Sequence, residues 1–319
     1  MEVDFGKFET KVELLNFNNN FNDLTVVNAA RVSFNKQKEV LDLQDEKLIN
    51  YLVSHKHWTP AAHPHATISV PRLMIDYSRL ITKYKVLAGL SFYINYDNDT
   101  MEITGSLWGL LQLAKHLQSG TILDLCDGHC PVTTQAFIDN TITPSDLKDY
   151  INDSSVVLLD APTYSGHDVF SFRITAPIYI ARQLVKHTEK LVWNEISGRY
   201  VPLDIGVEYP SEWLSPPVKA KQGSGSTPVT MEDVEYEDVD GEIHYFNYYD
   251  IVEFAKDWYD ANDGVIANEQ RRKILPLSTY TSWIWTGIRD AFDNVIDLRC
   301  SEDAQKETAL VAQGIREHL

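Results

Sequence analysis

Cysteine is scarce in this chain. Only Cys126, Cys130 and Cys300 occur in 319 residues, an odd and scattered set that excludes a disulfide framework and fits free thiols in a reducing compartment. Positive charge is short as well: 28 Lys and Arg stand against 46 Asp and Glu, a formal net charge of −18. That balance excludes non-specific nucleic-acid binding, which needs a basic face to replace counterions on phosphates. No apolar run approaches the ~18 residues of a membrane span, and Met1–Phe5 carries acid where a signal peptide carries base. The expectation is a soluble, cytoplasmic protein with no membrane or nucleic-acid partner.

What is present describes a globular chain. A hydrophobic share of 44% with aromatics spread along the length can bury a sizeable core, in one enlarged domain or two modest ones. An anionic small substrate is compatible with the acidic total only if the few Arg and Lys residues converge locally.

Periodicity predicts a strand over 11–16, a short helix over 26–33 and a helix over 45–54 with Leu48, Ile49, Leu52 and Val53 on one side. The stretch 66–165 reads as a largely helical unit, with one stripe at Leu73, Met74, Tyr77, Leu80, Ile81 and Tyr84 and part of another at Leu107, Leu110, Leu111 and Leu113. Phe170–Thr175 alternates as a strand, and Ala176 to about His187 has helical spacing opened by Pro177. The Gly/Ser-rich and acidic stretch 219–245 reads as a mobile loop. The last seventy or so residues read as helices: one over 246–259, one capped by Asn268, one running from Ser278 toward Leu298, and one capped by Ser301 with Glu302 and Asp303 behind it.

Two clusters invite a metal reading. Four histidines fall within residues 55–65, but their spacing offers no helical i,i+4 pair before a proline, and a buried hydrogen-bonding turn or a ligand-contact loop explains them better. Cys126, His129 and Cys130 have no second cluster to complete a site, so no metal is expected.

The chemistry-bearing residues gather further on. On the helix ending near 187, Arg182 and Lys186 are four apart, as are Gln183 and His187, which makes one side cationic and hydrogen-bonding. Ile178, Ala181, Leu184 and Val185 fill the opposite side. If Asn194–Tyr200 is extended, Glu195, Ser197 and Arg199 share a face, a trio able to hold a nucleotide through phosphate and hydroxyl contacts or to form a structural salt-bridge cluster.

The run from Arg182-Gln183 through Lys186-His187 to Asn194-Glu195-Ile196-Ser197-Gly198-Arg199-Tyr200 resembles the signature of flavin-dependent thymidylate synthases, RHRxxSxNExSxRY preceded by Arg-Gln. The second half matches at every fixed position; Lys186 and Thr188 stand where the family has arginines, and one extra residue lies between Arg182 and Asn194. Ala30-Arg31-Val32-Ser33-Phe34 is similar to the family's early flavin-contacting turn. His57-x-Thr59-Pro60-x-x-His63 resembles its His-x-Thr-Pro-Phe-Glu-His segment, with Ala61 and Ala62 in place of Phe and Glu. Arg272-Lys273-Ile274-Leu275-Pro276, Trp285-Thr286-Gly287-Ile288-Arg289 and Leu298-Arg299 follow its closing pattern in order.

The resemblance implies an α/β, thymidylate-synthase-complementing fold, a central sheet flanked by helices, formed by 1–65 and 166–319 with 66–165 as a mostly helical insertion. It implies conversion of dUMP to dTMP with 5,10-methylenetetrahydrofolate as carbon donor and NADPH-reduced FAD as hydride source, in a homotetramer with shared sites. By the same resemblance Arg299 favours the N3-ionised pyrimidine; since a guanidinium stays protonated, that role is electrostatic. Gln183, Glu195, Ser197, Gly198, Arg199 and Arg272 would join it on dUMP. Ser33, His57, Thr59, Lys186, His187, Thr188, Glu195 and Arg289 would lie on FAD. A flavoenzyme that hydroxymethylates dUMP and a non-catalytic pyrimidine-nucleotide-binding protein stay open beside this reading.

Overall fold

The structure, a computed structural model, describes residues 10–72, 90–203, 206–218, 223–301 and 304–319. Two four-stranded antiparallel sheets organise it. The first has the order β1-β6-β12-β7, made by Lys11–Phe17 (β1), Val169–Pro177 (β6), Tyr280–Ile288 (β12) and Leu191–Glu195 (β7). The second has the order β3-β4-β2-β5, from Leu90–Asn95, Thr100–Ser106, His65–Pro71 and Val157–Leu159 respectively.

β12 is the spine of the first sheet. All nine of its residues are buried, and Ile284 lies opposite Arg173 of β6 on one side and Asn194 of β7 on the other. This corrects the expectation of a helix running from Ser278. A strand buried on both faces shows no period-two alternation, so Tyr-Thr-Ser-Trp-Ile-Trp-Thr-Gly-Ile reads as an apolar run of either kind; its aromatic and β-branched content is the strand signal.

One face of this sheet is covered by three helices, Ile178–Leu184 (α6), Arg289–Arg299 (α9) and Lys306–Arg316 (α10). Phe172, Ile174, Trp283 and Trp285 pack there with Leu184, Phe292, Val311 and Ile315 in one core. The other face is polar and meets Asp23–Arg31 (α1) and the 3₁₀ turn Thr59–Ala62. His63, fully buried, places Nδ1 2.8 Å from Thr286 Oγ1 and Nε2 3.3 Å from Asn194 Oδ1. Asn20 Nδ2 donates to His63 O at 3.0 Å and to Ser171 Oγ at 3.2 Å. The histidine-rich turn thus supplies buried hydrogen bonds, and burial pushes His63 down to about 3 and His65 to about 4.

The second sheet packs with α1 and with Leu43–Ser54 (α2), Leu107–Leu117 (α3), Gly120–His129 (α4) and Pro131–Thr141 (α5) around Ile49, Ile68, Ile103, Leu110, Leu111 and Phe137. Among its described residues the stretch 66–165 carries helices over its middle, and strands β2 to β5, which the largely helical reading did not include, flank them. The stripe from Leu73 to Tyr84 lies outside the described residues. Caps define the helix starts: Asn22 Oδ1 accepts from Thr25 N at 2.9 Å, and Asp42 and Asp45 form a reciprocal capping box. Asp23 reaches across to α5, accepting from Val132 N at 2.9 Å and Thr133 N at 3.1 Å.

Two further readings change. Within 219–245, residues 219–222 lie outside the described residues, but Val234–Glu237 (β10) and Ile243–Phe246 (β11) pair as a hairpin and Pro228–Val229 (β9) pairs with Trp213–Leu214 (β8); alternating Val, Tyr and Ile among the acids, with Gly241 at φ +80° in the turn, makes the hairpin. At the chain's end Ser301 is not a cap: its hydroxyl donates to Leu298 O at 3.0 Å, and α10 starts at Lys306 behind Gln305, while Glu302 and Asp303 lie outside the described residues. No helix among the described residues is long and apolar enough to cross a membrane.

Candidate active site

The site is built where β7 ends. Trp193 and Glu195 share the helix-covered face of the sheet with Thr281, Trp283 and Trp285, by strand alternation. Thr281 Oγ1 donates to Glu195 Oε1 at 2.8 Å and Trp193 Nε1 to Oε2 at 3.2 Å. Both carboxylate oxygens are thereby held, and the Trp193 ring is fixed in turn by stacking on Trp283 at 4.3 Å.

Beyond Glu195 the chain turns instead of continuing extended. Tyr200 N and Val201 N both donate to Ser197 O, at 2.9 and 3.2 Å. Gly198 permits this closeness: a Cβ there would meet Leu203 Cδ1 at 2.8 Å and Arg272 Cδ at 3.4 Å. In consequence Arg199 does not share a face with Glu195 and Ser197. Its side chain is 55% exposed and points to Glu269, with Nε 3.8 Å from Oε2.

A cleft of about 350 Å³ opens at this turn. Arg182, Glu195, Ser197, Gly198, Arg272 and Thr281 form its polar lining, and Ile178, Ala181, Val185, Ile196 and Leu203 its apolar wall. Two guanidinium groups against one carboxylate make it locally cationic inside an acidic protein, which suits an anion carrying a flat or apolar part.

The expected single face of Arg182, Gln183, Lys186 and His187 is split. α6 ends at Leu184, so Lys186, His187 and Thr188 belong to the reversal into β7, where Lys190 takes φ 55°. Arg182 lines the cleft, whereas Gln183, about 100° further round the helix, turns to α9 and α10. Its Nε2 donates to Gln305 Oε1, and its Oε1 accepts from Thr308 Oγ1 at 3.4 Å.

Arg299 belongs to this second group. Its Nε donates to His187 Nε2 at 2.9 Å and its Nη2 to Gln183 O at 3.4 Å. His187 therefore carries its proton on Nδ1, and burial, then the Arg299 charge, lowers its pKa. Arg299 closes α9, so it sits at the negative end of a helix that favours a cation.

The remaining expected residues are dispersed. Ser33 Oγ donates to Glu195 O at 3.1 Å, and Ser33 O accepts from Ser197 N at 3.1 Å, so this serine braces the back of the cleft. Arg31, two residues earlier, is engaged by buried Asp45, with Nη2 2.5 Å from Oδ1. His57 and Thr59 are exposed on the turn after α2, and Lys186 and Thr188 are exposed beyond α6. Arg289 opens α9, its backbone N–H donating to Asp168 O at 2.7 Å and its Nε lying 3.7 Å from Asp293. Thr281 and Trp193, which fix Glu195, are not singled out by sequence; recognising β12 as a strand would have placed Thr281 on the same face as Trp283, the partner of Glu195.

Cys126 and Cys130 are buried in the second core, where burial raises both thiols. The group among the described residues with three close metal-capable side chains is Asp238, Glu242 and His244, on the exposed β10–β11 turn.

The family model described as thymidylate synthase complementing protein matches residues 13–93 and 157–319 and passes over 94–156. A flavin-dependent thymidylate synthase of Aquifex aeolicus is 26% identical over 317 residues, 92% of this chain and 93% of that protein. Proteins of the same name from Thermotoga neapolitana and Treponema denticola are 31% and 34% identical over 47% and 44% of this chain, and the matches span 60% and 50% of their own lengths. Among solved structures, a UMP/dUMP methylase from Streptomyces cacaoi aligns over 98% of this chain and 90% of that one at 17% identity, with a TM-score of 0.39, too loose a likeness to carry an argument.

Proposed function

The chain belongs to the thymidylate synthase complementing protein family, and from that premise we propose that it is a cytoplasmic flavin-dependent thymidylate synthase acting on dUMP. The reaction transfers the methylene of 5,10-methylenetetrahydrofolate to C5 of the uracil ring and reduces it with a hydride that originates in NADPH, releasing dTMP and tetrahydrofolate. The observation that carries the reading is the cleft at Glu195, Ser197, Gly198 and Arg272: a cationic recess with an apolar wall, where Arg182 and Arg272 converge on residues 195–198 of the half of the signature that matches at every fixed position.

In this reading Arg182 and Arg272 receive the nucleotide phosphate through charge-assisted hydrogen bonds. Glu195, pinned by Thr281 and Trp193, cannot swing, so it orients a hydroxyl or an amine at a set place. Arg299 does not line this cleft within one chain; in a site shared between subunits it would stabilise negative charge on the pyrimidine through its Nη nitrogens, since its Nε is engaged by His187.

A flavin supplies the two-electron chemistry that no side chain here provides. The donor set fits such a group: Lys186 and Arg289 bring positive charge, Thr59 and Thr188 hydroxyls, and His57, Thr59, Lys186 and Thr188 are exposed where a dinucleotide could reach them. Those residues do not surround the Glu195 cleft within one chain. A homotetramer in which one subunit brings its flavin-contacting turns to another's nucleotide cleft accounts for that dispersal.

The test is anaerobic incubation of the purified protein with FAD, NADPH, dUMP and methylenetetrahydrofolate, reading flavin absorbance and then nucleotide mass. Flavin reoxidation with dTMP formed is expected. A hydroxymethyl product would instead select the alternative chemistry, and no flavin binding with no product would leave a nucleotide-binding relative.

A further inference from the structure

Next to Arg272 in the chain stands a guanidinium that none of the site reading uses. Arg271 is 1% exposed, and a buried charge is costly unless it is partnered. Its Nη1 donates to Tyr259 O at 2.9 Å, its Nε donates to Asn268 Oδ1 at 3.0 Å, and its Nη2 lies 2.5 Å from Asp263 Oδ1. The guanidinium carbon sits 4.1 Å from the centre of the Tyr259 ring, a desolvated cation–π contact.

Tyr259, also 1% exposed, comes from Tyr248–Ala261 (α7). Its hydroxyl accepts from Leu203 N at 3.0 Å, and Leu203 is part of the cleft wall against Gly198. Arg271 itself ends Asn268–Arg271 (α8), a four-residue turn whose N-cap, Ala267, offers no side-chain acceptor. A single turn has no stability of its own, so its place depends on the buried anchor at its end. The next residue, Arg272, enters the cleft.

We propose that Arg271 and Tyr259 are positioning residues for the nucleotide cleft: Arg271 fixes the turn that presents Arg272, and the Tyr259 hydroxyl fixes Leu203 on the facing wall. Neither touches the ligand. Both act on where an anion is held and not on the reacting ring, so they govern nucleotide affinity rather than the chemical step. The ligand named is that of the proposed synthase reading; the placement of Arg272 is independent of it.

The experiment uses the full-length protein with Arg271→Lys, which keeps the charge and loses the planar fork, and Tyr259→Phe, which keeps the ring and loses the hydroxyl. Dissociation constants for dUMP, KM against kcat, and melting curves are measured together. Arg271→Lys is expected to raise the dUMP Kd and KM about tenfold with kcat within twofold, and Tyr259→Phe to raise them about threefold, in proteins that still melt cooperatively. Adding Arg271→Lys to Arg272→Ala should cost little more affinity than Arg272→Ala alone, because the positioned group is already gone. Wild-type affinity in folded Arg271→Lys, or a fully additive double variant, overturns the proposal. Should the wild-type protein bind no dUMP, the synthase reading fails instead, and a crystal structure of Arg271→Lys decides the positioning role by itself: a displaced Arg272 supports it, and an Arg272 unmoved in the cleft overturns it.

Discussion

The two four-stranded sheets are alike in size and antiparallel pairing and differ in what their polar residues do. In the second sheet these groups close on one another: Thr67 and Thr104 hydroxyls lie 2.9 Å apart, and buried Glu102 accepts from Thr163 N at 3.1 Å and Thr163 Oγ1 at 2.6 Å. In the first sheet the end of β7 turns a carboxylate and a hydroxyl outward into a cleft with two guanidinium groups. The second body also contains the stretch 94–156 that the family model passes over. Chemistry and support are therefore separable, and damage to each should be read by a different instrument.

The largest effect expected is on stability, in the second body. Phe137 is 0% exposed at the centre of that core, so Phe137→Ala should cost about 3–5 kcal/mol of unfolding free energy, from lost transfer energy and the cavity left behind. At a temperature where the variant remains folded, its kcat should match the wild type. Denaturant unfolding and steady-state rates on one preparation check both; a folded variant with lost turnover would erase the separation. Slightly smaller and opposite in kind is Arg299→Ala, which should lower dTMP formation roughly 10²–10³-fold, the range for deleting one electrostatic stabiliser, while shifting the melting temperature little.

Gly198→Ala is intermediate and sharpens where the cleft's wall lies. The new methyl would stand 2.8 Å from Leu203 Cδ1 and 3.4 Å from Arg272 Cδ, so Leu203 or the turn must shift, at about 1–3 kcal/mol for overpacking. A weaker dUMP affinity by isothermal titration is expected, with a folded protein; unchanged affinity would mean that the ligand sits elsewhere.

How much of this was legible follows from where the signal lives. The chain order Glu195-Ile196-Ser197-Gly198 and Arg272 could be read as a site because a local motif carries it, and α2, β1 and β6 because their apolar spacing is periodic. β12 was not legible as a strand, since burial on both faces removes alternation, and with it went Thr281, the residue that holds Glu195. Arg199 was misplaced because the turn at Gly198 depends on long-range contact with Leu203 and Arg272, which no local pattern encodes. Arg271 gave no signal at all: beside Arg272 and Lys273 it reads as one more surface cation, and only Tyr259 and Asp263, brought from elsewhere in the chain, bury it.

At neutral pH the smallest effect lies on the seam between the two bodies, and it grows as the pH falls. His63 and His65 titrate near 6.5 in an unfolded chain and at about 3 and about 4 in the folded one, because burial disfavours the imidazolium. Between those values the unfolded chain binds protons that the folded chain refuses. Stability is thus complete above about pH 6.5 and falls as pH drops toward 4, by up to about 1.4 kcal/mol per pH unit for each histidine. His65→Asn, whose amide can take over the 2.9 Å contact between Nδ1 and His63 O, should remove one of the two contributions and flatten the melting temperature between pH 6.5 and 4 while leaving it near the wild type at pH 7.5. An unaltered slope in that variant would mean that the seam opens before His65 is protonated, and that the two bodies part more easily in acid than their buried hydrogen bonds imply.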